Sequence, residues 1–148
     1  TLFAADVDAV GANGVGDGVV SEVWWTPNHP YTSSISGQTS KEIGDVWIEL
    51  TGDDYAPATA GYDYANIEIL YDVLSRAGTS DADAIIKAAA ETDLNSVIGP
   101  IKFNEDHVSI QPLVTGQWCY EDGKWVQNII ANTQVPDVPI SADIKFLK

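Results

Sequence analysis

The sequence predicts an α/β fold on three observations. From about Ser34 to Asn95, apolar residues recur at helical spacing between capping residues and closing glycines. Val19–Trp25 and the runs after Ser96 are instead rich in β-branched and aromatic residues, as strands are. Asp122-Gly123 lies between two of those runs, and a tight type I′ hairpin turn needs such a pair because both its central residues take positive φ.

The elements follow in order. Val7 and Val10 mark a short opening segment of helical spacing. The glycine-rich turn "GANGVGDG" follows, with Gly11, Gly14, Gly16 and Gly18. It feeds a strand and has no Lys-Ser/Thr after it, whereas phosphate loops feed a helix N-terminus, so a phosphate site is not expected. The strand Val19–Trp25 ends at Pro27 and Pro30, which cannot donate to a ladder. Ile43, Val46, Trp47 and Leu50 then form one face of a helix, capped by Ser34 or Ser36 and closed by Gly52. A long helix runs from about Gly61 to Ala77 and closes at Gly78. Its polar stripe is narrow (Glu68, Asp72, Ser75, Arg76), so it is expected to pack on more than one side. A third helix, capped by Ser80, is expected to bury Ala82, Ile85, Ile86 and Ala89. Strands follow in "GPIKF", "LVTGQWCYE" and "KWVQNII", and the tail from Asn132 reads as an extended arm.

Composition narrows the function. The 148 residues are enough for one domain with a core, and 45% of them are hydrophobic. The 22 acidic residues against 7 basic ones give a formal net charge of −15, which repels phosphate backbones and anionic lipid and argues against nucleic acid as a partner. No apolar run approaches the roughly 18 residues of a membrane-spanning helix. Cys119 is the only cysteine, so neither an internal disulfide nor a multi-cysteine metal site is expected. The chain opens on Thr1, as a processed protein or a fragment would.

Catalytic and metal chemistry find little support. His29 and His107, the two histidines, fall in turn-like segments without ligand spacing and read as solvated turn residues. "NEDH" at 104–107 lacks the ligand alternation, central Gly and distal Glu of a calcium loop. Cys119 sits between Trp118 and Tyr120 in a strand, where an inert buried thiol is expected. No metal, cofactor or catalytic residue is assigned. Aromatics are more informative: Trp24 and Trp25 are consecutive on a strand, so only one can face the core beneath the sheet. Tyr62 and Tyr64 flank Asp63 near a helix start. A cleft wall and plain packing both remain open for these residues.

Taken together, "GVVSEVWWTPNHPY", a capped helix, "GYDYANIEILYDVLSRAG", the run from Ser80 to His107 with "VIGPIKF" before an acidic turn, and "GQWCYEDGKWV" resemble the C-terminal part of a type I periplasmic solute-binding protein. This is the branched-chain amino-acid receptor class of ABC importers. The resemblance implies part of a fold with two three-layer α/β/α lobes joined by hinge crossings, with the N-terminal part missing. It places residues 1–25 and 102–148 in the C-terminal lobe, 34–96 in the N-terminal lobe, and hinge crossings at 26–33 and 97–101, with Pro27, Gly99 and Pro100 as hinge residues. It implies a small amino acid or a related carboxylate or aromatic ligand between the lobes, contacted by Tyr62, Asp63, Tyr64 and Trp24 or Trp25. The α-helix dipole at the start of the helix near Asp63 would favour an anionic group. It also implies no enzymatic activity, a membrane permease as partner, a periplasmic or extracellular location, and cover for exposed helix faces from the rest of the receptor or a second copy. A sensory receptor of the same fold and a structural module without ligand are the alternatives. A hydrolase would need two carboxylates facing across a cleft.

Overall fold

The computed structural model describes residues 2–11 and 15–146. Gly14 of the glycine-rich turn lies outside them. The elements are α1 (Ala4–Gly11), β1 (Val20–Val23), α2 (Ser40–Thr51), α3 (Ala58–Ala77), α4 (Ala82–Ala90), β2 (Asp93–Ser96), β3 (Gly99–Lys102), β4 (Val114–Glu121) and β5 (Lys124–Ala131). They divide into two units: the chain up to Trp24 together with everything from Leu113 onward, and Trp25–Pro112.

The first unit is an antiparallel sheet in the order β1-β4-β5. Asp122 (φ 49°) and Gly123 (φ 86°) make the hairpin turn that their sequence predicts, and Glu121 pairs with Lys124 across it. Tyr120 and Trp125 meet edge to face on adjacent strands, with ring centroids 5.1 Å apart. Alternate residues turn Val23, Val114, Trp118 and Ile129 inward, and Val7 of α1 is buried with them. Cys119 is buried. Among the described residues, the tail from Asn132 contains no helix or strand, yet it is fastened down: Val135 and Val138 are buried, and Ser141 exchanges hydrogen bonds with the backbone of Ile129. Gln117, fully buried on β4, accepts from the Lys145 amide at 2.7 Å and donates to the Lys145 carbonyl at 2.8 Å. A side-chain amide thus stands in for a strand's peptide group. The Lys145 ammonium also pairs with the Asp17 carboxylate, which holds that carboxyl below its ordinary range.

The second unit packs α2, α3 and α4 with the β2–β3 hairpin. Helix α2 is capped by Thr39, five residues after Ser34, and not by Ser34 or Ser36. Those serines lie in a turn closed by Gly37 (φ 75°), and Ser33 Oγ accepts from the amides of Ile35 and Ser36. Thr39 and Glu42 complete a reciprocal capping box. Thr39→Ala should cost about 1 kcal/mol; an unchanged denaturation midpoint would show that the box contributes nothing.

Helix α3 begins at Ala58 behind Pro57, one turn before the expected Gly61, because proline's fixed φ suits a helix entrance. Helix α4 is capped by Asp81, not Ser80, and its buried residue is Ala88; Ile86 is exposed. Arg76 ties α3 to the end of α4 and to Thr92 just before β2, donating to the Ala88 carbonyl and Thr92 Oγ1 while paired with Asp72. The strand β2, with sequence DLNS, has no β-branched residue and gave no sequence signal.

Candidate functional site

Trp25 organises the second unit. It is 1% exposed, and its indole N–H donates to the Val97 carbonyl at 2.9 Å. Its ring lies where a side chain at position 61 would begin: a Cβ on Gly61 would sit 2.3 Å from it. Helix and indole meet this closely only because residue 61 is glycine. Trp24 is 40% exposed. The pair therefore divides as consecutive tryptophans should, with Trp25 in the core.

The peptide group of Val97, itself fully buried, is gripped from three segments of the chain. Its carbonyl also accepts from Ser40 Oγ at 2.8 Å, at the start of α2. Its amide approaches Glu68 Oε2 of α3 at 3.4 Å. Glu68 is 4% exposed, so it belongs to the core side of α3 and not to the polar stripe that its sequence suggests. Burial raises its pKa, opposed in part by hydrogen bonds from Ser33 and the Val97 amide. Among the described residues, Glu68 Oε1 has no hydrogen-bond partner.

Tyr62, Asp63 and Tyr64 sit in the second turn of α3, not at its opening, because the helix starts at Ala58. The dipole effect decays within the first turn, so it does not reach Asp63. Tyr62 is half-buried against the core cluster, which raises its hydroxyl pKa. Asp63 is exposed. The Tyr64 hydroxyl donates to Gln38 Oε1 at 2.6 Å and lies 2.8 Å from Ser36 Oγ, pinning the turn before α2.

Pro27 packs against α2 so closely that a Cβ on Gly44 would lie 2.4 Å from its ring. Gly99 (φ 113°) and Pro100 begin β3 inside the β2–β3 hairpin, and the Tyr31 ring covers Gly99. Only glycine accepts that φ without strain. The chain passes between the two units at Trp24–Trp25 and at Pro112–Leu113.

His29 corrects the sequence reading: it is 4% exposed, not solvated. Its turn folds back into the unit, with the ring 5.8 Å from that of Tyr31. His107 is exposed, with φ 62° in a turn tied by the Asn104 side chain.

In the first unit, a groove of about 440 Å³ is lined by Ser21, Glu22, Thr115, Thr133 and Gln134 among others. Among the described residues, no group of three His, Cys, Asp or Glu converges to hold a metal ion, and no helix is long and apolar enough to cross a membrane.

No family profile and no curated protein matches the sequence. Solved structures do match its fold. The leucine-binding protein LivK of Thermotoga maritima superposes with a TM-score of 0.63 at 21% identity, over 84% of this chain and 33% of that one. An ABC-type branched-chain amino acid transporter protein of Rhodopseudomonas palustris gives 0.59 at 13% identity, over 84% and 33%. A solute-binding protein of an ABC transporter from Rhodopseudomonas palustris BisB5, in complex with 3,4-dihydroxybenzoic acid, gives 0.60 at 22% identity, over 86% and 34%. The chain therefore has the fold of part of a type I periplasmic solute-binding protein and spans about a third of the length of the structures it matches.

Proposed function

We propose that this chain is part of a non-enzymatic solute-binding receptor that works outside the cytoplasmic membrane and delivers a small amino acid or a related aromatic carboxylate to an ABC permease. One observation carries the reading: three solute-binding proteins share the fold of most of this chain, with TM-scores from 0.59 to 0.63. Two of those proteins are described by leucine or branched-chain amino acids and the third holds a dihydroxybenzoate. On this reading Trp24–Trp25 and Pro112–Leu113 are crossings between lobes, and half-buried Tyr62 is an aromatic group offered to the solute.

The surface of α3 supports the partial-receptor reading. Ile67, Leu70, Tyr71 and Leu74 recur at i, i+3, i+4 and i+7 and are all exposed, on the side opposite buried Gly61, Ala65 and Glu68. A helix apolar on two opposite faces suits a middle layer. The remainder of the same receptor is the occupant we assign to the outer face.

The test is a thermal-shift screen of the complete receptor against amino acids and aromatic acids. A ligand at about 100 times its Kd should add roughly 2.7 kcal/mol of stability. Silence across both classes would reject the delivery function and leave a structural role.

A further inference from the structure

We propose that the Thr26–Tyr31 turn is an acid-released latch: protonation of His29 drives its ring out of the core, withdraws its contact from the Tyr31 ring, and loosens the cover of the Gly99 turn. This goes beyond the receptor reading and does not depend on it.

The geometry favours the neutral ring. His29 Nδ1 accepts the Thr26 amide proton at 2.9 Å. An accepting Nδ1 leaves the proton of a neutral imidazole on Nε2. That Nε2 is buried and, among the described residues, has no hydrogen-bond partner. Adding a proton at Nδ1 would set N–H against N–H at the Thr26 amide. Two other Thr26 oxygens lie near Nδ1, Oγ1 at 3.3 Å and the carbonyl at 3.2 Å, but they compensate only in part because each already accepts a backbone amide, from Asn28 and from His29. Thr26 and Tyr31 flank the ring, and among the described residues no carboxylate or ammonium group contributes to its charge state.

The connection onward is equally local. The Tyr31 ring meets His29 on one side and covers Gly99 on the other, where an added Cβ would lie 3.2 Å from it. The Tyr31 carbonyl accepts from the Ser40 amide, and Ser40 Oγ donates to Val97 O. Losing the His29 contact therefore loosens the cover of the β2–β3 turn, while Pro27 stays anchored on Gly44.

The sign of the pH effect follows. Burial lowers the His29 pKa from 6.5 to about 4 in the closed turn. An opened turn returns it to the ordinary value, so the open form binds a proton that the closed form does not. Closure is fully favoured above about pH 6.5 and weakens as pH falls toward 4.

Amide hydrogen exchange on the full chain tests this, with rates corrected for the intrinsic pH dependence of exchange. Peptides covering 26–33 and 94–103 should open about 50-fold more often at pH 4.5 than at pH 7, approaching tenfold per pH unit in between. Peptides from the middle of α3 should not follow. In His29→Gln, whose side chain keeps an acceptor but does not titrate, the acid response should vanish. Uniform acceleration over the whole second unit, no acceleration, or a response that survives in His29→Gln would each overturn the latch. If that variant does not fold, nitrogen NMR of the wild-type imidazole decides: the ring should stay as the Nε2–H tautomer down to about pH 5, and titration near 6.5 in the folded chain overturns the proposal.

Discussion

Trp25→Ala lowers the stability of the second unit by about 3–5 kcal/mol, the usual cost of removing a large buried aromatic side chain. The indole is 1% exposed and lies in one cluster with Ile43, Ala60, Ala65, Val97 and Ile101. Its loss leaves a cavity and deprives the Val97 carbonyl of one of its two side-chain donors. Trp24→Ala, one residue earlier and 40% exposed, should change stability by less than about 1 kcal/mol. Urea denaturation of both variants measures the contrast. Equal effects would mean that the division of the two tryptophans between core and surface is wrong.

Gly61→Val should cost about 3 kcal/mol by overpacking. The first carbon of any side chain at 61 would fall 2.3 Å from the Trp25 ring, and a ring enclosed in a core cannot swing aside as the end of a flexible chain could. The gain in helix propensity from replacing glycine, at most about 1 kcal/mol, does not offset this. The two predictions are coupled. Once Trp25 is alanine the space opens, so Gly61→Val in that background should cost less by about 1–3 kcal/mol. Additive effects would place the strain elsewhere.

How much of this was legible in the sequence depends on how local each feature is. The Asp122-Gly123 hairpin and the closing glycines at 52 and 78 follow from positive φ, a property of one or two residues, and could be read directly. The capping box was also legible, as Thr39 followed three residues later by Glu42, but the serines upstream satisfy the same one-residue preference. Pro57 likewise marked the entrance of α3. The burial of His29 and Glu68 was not legible. A histidine between two prolines and a glutamate on a helix both read as surface residues; His29 is turned inward by the way its own turn folds back into the unit, and Glu68 by packing against Val97, 29 residues away. For the candidate site, the sequence showed that only one of Trp24 and Trp25 could face the core, but it could not tell that the Gly61 backbone would take up the face of Trp25.

The first unit is assembled from the two ends of the described chain, and this has a consequence for synthesis. Val20 pairs with Gln117, so β1 leaves the ribosome long before its neighbour exists. At roughly 5–20 residues per second, the wait is on the order of ten seconds. During that time β1 presents unpaired N–H and C=O groups to any other nascent strand. The second unit is continuous in sequence and can complete its core in the same interval. Translation thus makes the helical body before the sheet body, which waits for residues made after it, as far as the Lys145 backbone that fastens Gln117. A chain released before β4 would hold a finished helical unit and an orphan strand, which is the form most exposed to aggregation and proteolysis.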